Sequence, residues 1–542
     1  MSQSPAQVIL TNAMILDGTG APAFSGEVVI EEDRIVRVST SSTNGPTSST
    51  GVGAGSTAID VQGKVVSPGF IDMHTHSDLQ ILLHPDHTGR VSQGITTELL
   101  GQDGLSYAPV DDATLPVIAD RIRGWNDDPP RYDFTWRSVA QYLDRLDAGI
   151  ACHGAYLVPH GNLRQLVMGT DTGAANDAQI RSMQAILREG LDAGAYGLSD
   201  GLTYVPAMFS TTDEIVALCE VVAEYGGLYV PHHRNYGIDV IGGFAECFEV
   251  ARRSGVRLHL SHTHVSYEQN RDKLPELLAL FDQADADDVD YSFDAYPYIA
   301  SMSTLFAQFP SWAQVGTVDD QLALFADPDA RERMRRAVDI DGSDGHQGFP
   351  VDWTKVVIGG VPDGEWEWTV GQPVAAIAER LGTDPAEAAM QLLVGTRFAA
   401  SCVMFMGNED HVRALMQHPK HTIGSDGIMV GARPHPRAFG TFPRFLGTYV
   451  RELGVLELPE AVRHITSAPA DRLRLADRGR IAAGQVADLV VFDPDTVGSP
   501  ATYEEPHQFA TGIDHVFVAG VAVITNSVRT DALPGRSLRA HD

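Results

Sequence analysis

The feature that most constrains this chain is a helix–strand unit that repeats through its middle. Asn176 or Asp177 opens a stretch with Ile180, Met183, Leu187 and Leu191 on one helical stripe. Gly194 ends it before the apolar run Ala195-Tyr196-Gly197-Leu198-Ser199. Thr212 caps a second helix with Ile215, Leu218 and Val222 inward, and the strand Leu228–His232 follows Gly226. A third helix, about Gly243 to Ser254, leads through Gly255 into Val256–His262, and a further strand spans Val289 to Tyr296. Strands alternating with helices pair in parallel through right-handed crossovers. No GxGxxG opens a helix to favour an open doubly wound sheet. The pattern therefore predicts an α/β fold of the closed (β/α)₈ barrel type, which needs about 250 residues.

The chain has 542 residues, so much lies outside that barrel. The first sixty residues read as β-structure, with Ser39–Ala58 as a Ser/Thr/Gly-rich loop, and β-patterning returns after about Arg480. Both ends together predict one small β-sandwich: residues 1–64 and 476–542 flank a barrel over 65–475. The run Val65–Asp72 reads as a single buried strand, and residues 301–350 as an inserted lid over the barrel mouth.

Composition excludes several classes of function. Lys and Arg number 39 against 71 Asp and Glu, a formal charge of −32, which disfavours nucleic-acid and anionic-membrane partners. Cys152, Cys219, Cys247 and Cys402 stand far apart, so neither a disulfide framework nor a zinc finger is expected, and a cytoplasmic home is. The opening residues show no basic and apolar leader pattern, and no stretch is apolar enough to span a membrane.

Histidines gather where strands end. His74 and His76 follow the buried strand at i and i+2, so both leave one face. His232 and His262 close two further strands, while alternation turns His233 away from His232. Four imidazoles from three strands of one barrel suit a zinc site at its C-terminal mouth. Asp426, in Gly424-Ser425-Asp426-Gly427, sits where a carboxylate can exchange a proton with metal-activated water; alone it would read as an Asx turn or helix cap.

These motifs carry a resemblance. Pro68-Gly69-Phe70-Ile71-Asp72-Met73-His74-Thr75-His76 resembles the first-strand signature of the amidohydrolase superfamily. His232-His233-Arg234-Asn235, Ser261-His262 and Gly424-Ser425-Asp426-Gly427 with His435-Pro436-Arg437 are similar to the N-acyl-D-amino-acid deacylases, or D-aminoacylases. The resemblance implies one metal position at His74 and His76, a neighbouring one at His232 and His262, and Asp426 as general acid/base. It implies that Arg437 grips the substrate carboxylate, with Tyr296 nearby.

Two positions depart from that family. Gly101-Gln102-Asp103-Gly104 stands where relatives place a metal-binding cysteine, which makes Asp103 the expected ligand and Glu98 the reserve. A carbamylated lysine is excluded as a bridge, since no lysine lies between Lys64 and Lys273. His264 stands where relatives often carry a lysine near the substrate.

The expected activity is removal of the acyl group from N-acyl-D-amino acids by zinc-bound hydroxide, with one or two zinc ions. The expected partner is a small N-acyl amino acid, and a homo-oligomer stays open. Opening a cyclic amide, cleaving an unusual dipeptide, or a non-catalytic scaffold role are the alternatives.

Overall fold

The computed structural model describes residues 7–40, 56–127 and 132–541. Its centre is a ring of eight parallel strands: Phe70–Asp72, Ile95–Leu100, His153–Tyr156 continued by Val158–Pro159, Gly197–Gly201, Leu228–His232, Arg257–Leu260, Tyr291–Ala295 and His421–Ile423. The ring closes between its first and last members. Met73 N–H donates to Ile423 O (3.2 Å), Asp426 N–H to His74 O (2.8 Å) and His76 N–H to Gly427 O (3.1 Å). Ile71, Met73, Leu99, Ala155, Leu157 and Val230 fill the interior with Ala470 and Leu473. The expected barrel is present.

Local chemistry explains the helical layer. Asn176 caps the helix Asp177–Asp192 in a reciprocal box with Gln179, and Met183, Leu187 and Leu191 face inward. Thr211, not Thr212, caps Thr212–Glu224, because its side chain is the one that accepts from Glu214 N–H. Gly255, at φ +70°, ends Val240–Ser254.

Nine strands from the two ends make one sheet. Val65–Pro68 is its junction, pairing in parallel with Gln7–Ile15 and antiparallel with Leu489–Phe492. Leu10, Ile15, Val28, Ile30, Leu489, Val491 and Phe517 form its core. The single strand expected over Val65–Asp72 is thus two, broken at Gly69: the first half belongs to the end sheet, the second to the barrel. The sheet reaches past residue 64, the expected boundary. Of the loop expected over Ser39–Ala58, residues 41–55 lie outside the described residues, and its described margins are strand.

Between Ala295 and His421 the chain builds a separate body. Ser301–Thr304, Ser401–Met404 and Val356–Gly360 form an antiparallel sheet with Ser401–Met404 central. Leu305, Phe309, Phe325, Trp353, Ile377 and Leu392 pack beside it. The insertion is about twice as long as the expected 301–350, because its first strand pairs with one that starts at Ser401.

Candidate active site

His74 and His76 leave the first strand just where it meets the last, and Asp426 enters from the other side of that seam. His76 Nε2 lies 3.2 Å from Asp426 Oδ1, and His74 Nε2 lies 3.9 Å from it. Asp103, after the second strand, reaches across the mouth: Oδ1 is 3.5 Å from His74 Nε2, and Oδ2 is 3.2 Å from His232 Nδ1 and 3.5 Å from His262 Nε2. The sequence-expected His74, His76, Asp103, His232, His262 and Asp426 therefore converge.

Their backbones and donor atoms are unusual. Asp103, His262 and Asp426 hold φ values of 54°, 28° and 48°, a region side-chain-bearing residues seldom occupy, and strain of this kind clusters at functional sites. Gly424 admits the crowding, since a Cβ there would lie 2.5 Å from Asp294 Oδ1 and 2.6 Å from His74 Cβ. Both ring nitrogens of His74, and Asp103 Oδ1, are shielded from solvent yet have no hydrogen-bond partner. Buried polar atoms without partners are rare. One donor atom from each of His74, His76 and Asp426 lies within 4.8 Å of the others, and the same holds for His74, Asp103 and His262. Imidazole nitrogen with carboxylate oxygen is a donor set that fits zinc.

Residues 57–524 match the model of the amidohydrolase family. The chain belongs to that family. Within it, the chain is 34% identical to the D-aminoacylase of Alcaligenes xylosoxydans xylosoxydans, over 99% of each protein. It is also 34% identical to the N-acyl-D-glutamate deacylase of the same organism, over 99% of this chain and 97% of that one. The crystal structure of the Bordetella bronchiseptica N-acyl-D-glutamate deacylase, complexed with zinc and a phosphonate mimic of the reaction's tetrahedral intermediate, is 32% identical. It superposes with a TM-score of 0.82, covering 99% of this chain and all of that one. This amidohydrolase thus falls on the D-aminoacylase branch.

Electrostatics sharpen the picture. Burial raises the Asp426 carboxyl, but the Arg437 guanidinium, 2.8 Å away, and His76 outweigh it and hold it well below the usual carboxylate range. Burial likewise opposes Asp103, and His232, His74 and His262 together win, keeping it anionic. Burial lowers the His76 imidazole, yet Asp103 and Asp426 push it up to about 10. A cation bound between these groups would displace that proton.

A cavity of about 760 Å³ opens from this cluster toward the insertion. His264 and Tyr296 line it with ring centroids 4.3 Å apart. Burial, helped by His262 and Arg437, takes His264 down to about 3, so it is neutral. The Arg437 guanidinium lies 4.5 Å over the Tyr296 ring, and its Nε and one terminal nitrogen are shielded without partners. His233 turns away, its ring 4.0 Å from Phe244.

Glu98 does not join the site. It is fully buried elsewhere, paired to Arg90 Nε (2.6 Å) and His87 Nε2 (3.0 Å). With Cys152, Glu98 and His87 form a third close trio of donor atoms, but a guanidinium already neutralises it.

Sequence reasoning missed the groups that orient these imidazoles. Thr203 Oγ1 is 2.7 Å from His232 Nε2, and Tyr236 OH is 3.1 Å from His262 Nδ1, so each ring turns its other nitrogen toward Asp103. Asp294, at the end of the seventh strand, accepts His262 N–H (2.8 Å) and approaches His74 Nδ1 (3.7 Å). Its place at a strand end was a usable signal; the two hydroxyls lie on loops, without one.

Proposed function

We propose that this amidohydrolase is a zinc-dependent hydrolase removing the acyl group from N-acyl-D-amino acids. The observation that carries the reading is the convergence of four imidazoles and two carboxylates, at whose centre both His74 ring nitrogens and Asp103 Oδ1 lack partners. His74, His76 and Asp426 would hold one ion, and Asp103, His232 and His262 an adjoining one. When bound, zinc supplies Lewis acidity, lowering the pKa of a coordinated water toward about 7 and polarising the acyl carbonyl.

The chain's own residues do the rest. Asp426, kept anionic by Arg437, takes a proton from the attacking water and returns it to the departing nitrogen. Arg437, fully buried against the Tyr296 ring and outside the cavity's lining, would reach past that ring with its unpartnered edge to the substrate's α-carboxylate, a planar match of fork to fork. Tyr296 and His264 flank that carboxylate. The insertion covers the mouth and excludes water.

The cavity also selects a side chain. Met404, Met406 and Ile428 line it with Gln308 and Gln347, and no lysine or arginine is among its described lining residues. An acidic side chain would be desolvated there without a counter-charge. The substrate is accordingly an N-acyl-D-amino acid with an uncharged side chain. A panel tests this: N-acetyl-D-methionine should be cleaved at least tenfold faster, as kcat/KM, than its L-enantiomer and than N-acetyl-D-glutamate. Preference for the glutamate would overturn the selectivity, and turnover of neither D-substrate would overturn the reaction.

A further inference from the structure

A second cavity, of about 920 Å³, adjoins the first. Trp125, Tyr204 and Ala307 line both, so the two share a wall. Trp125 and Tyr204 meet edge to face with centroids 5.0 Å apart, and on the metal side each lies 4.8 Å from a ligand ring, His76 and His232 respectively.

Behind that wall stands a cation without a counter-ion. Arg121 precedes Trp125 by one turn of the helix Thr114–Asn126, so the two share a helix face. The Arg121 side chain is half-buried and lines the second cavity. One terminal nitrogen donates to Val205 O (2.9 Å), while Nε is shielded and unpartnered. Among the described residues no carboxylate pairs with it. Asp120, which lines the same cavity, pairs instead with Arg123. Burial alone, with nothing opposing it, takes Arg121 down to about 10. Leu105, Val117, Phe306 and Phe398 supply apolar walls, and Gln314 and Gln321 add neutral polar groups.

The geometry points to a second binding site in this cavity, for a carboxylate with an apolar tail, seated on Arg121 and separated from the metal centre by Trp125 and Tyr204. A guanidinium matches a carboxylate bidentately, and the apolar walls take the tail. The occupant sits outside the reaction path, so it does not compete with substrate. It acts through rings that pack on two ligand histidines.

Hexanoate is the probe. Zinc-loaded enzyme, its active site filled with a phosphonate analogue of N-acetyl-D-methionine, is titrated with hexanoate by calorimetry. One hexanoate per chain should bind, with acetate and hexanol each at least tenfold weaker. Arg121→Met should weaken hexanoate at least tenfold while keeping the melting temperature and the kcat/KM for N-acetyl-D-methionine, and Arg121→Lys should restore part of the loss. Val117→Trp, which fills the apolar end, should block binding with Arg121 intact. The site is overturned if hexanoate fails to bind the phosphonate-filled enzyme, or if it binds Arg121→Met and Val117→Trp as it binds the parent. Neither result would touch the hydrolase reading, which the phosphonate and the substrate panel report separately.

Discussion

Two clusters of buried histidine and acid lie on either side of the first two barrel strands, and they differ in one respect. At the mouth, His74, His76, Asp103, His232, His262 and Asp426 face one another with atoms left over. Behind the strands, Asp72, Arg90, Glu98 and His87 satisfy almost every demand among themselves. Arg90 bonds both carboxylates and Ala438 O, and Asp72 also accepts Ser425 N–H (2.8 Å) and His74 N–H (3.1 Å). Burial opposes the Glu98 charge, but His87 and Arg90 bring the group down to about 2. The residue types are the same; the cation is not. Arg90 bonds both carboxylates of the second cluster and makes it a brace, whereas Arg437 reaches only Asp426 in the first and leaves His74 and Asp103 with unpartnered atoms.

This contrast can be broken by substitution. Asp426→Asn should lower kcat by about 10²–10⁴-fold in enzyme that still folds, a loss read by steady-state kinetics. Arg90→Met should do the reverse, leaving Asp72 and Glu98 as uncompensated buried charges. Denaturant unfolding should show a cost of about 3–5 kcal/mol, while the folded fraction keeps its zinc by elemental analysis. Equal damage to activity and stability in both variants would erase the distinction.

A second self-satisfied cluster extends the comparison to pH. Burial lowers the His160 imidazole, but Asp200 (3.0 Å) and Glu214 (2.9 Å) push it up to about 9. Its folded value lies above its unfolded one of about 6.5, so its contribution is complete below that pH and lost as pH rises through about 9. Unfolding at pH 6 and pH 10 should differ by up to about 3 kcal/mol from this group, a difference that His160→Asn reduces. The smallest effect sharpens the open cluster: Tyr236→Phe removes only the hydroxyl that aims His262, and competition with a chelator should show metal affinity about 10–100-fold weaker.

Much of this was legible in the sequence, because parallel strands end at one rim and side chains near a strand end have little freedom. His74, His76, His232 and His262 could be placed for that reason. The choice between Asp103 and Glu98 could not, since both follow from the same strand. Glu98 pairs in register with Asp72 and shares its side of the sheet, whereas Asp103 lies beyond the strand on a turn with left-handed backbone. The insertion's extent was hidden for another reason. Ser301–Thr304 pairs with residues a hundred positions away, and no local pattern reports a partner at that distance. Gly69 split an apparently continuous apolar run, because apolar character does not say which sheet a strand joins.

The seam between the first and last barrel strands has a consequence for biosynthesis. A ribosome that has released only His74 and His76 has made two of the six converging side chains, and Asp426, across the seam from them, arrives hundreds of residues later. The strand Leu489–Phe492, which anchors Val65–Pro68, emerges later still. A prematurely terminated polypeptide would therefore carry imidazoles able to bind metal but no finished hydrolase.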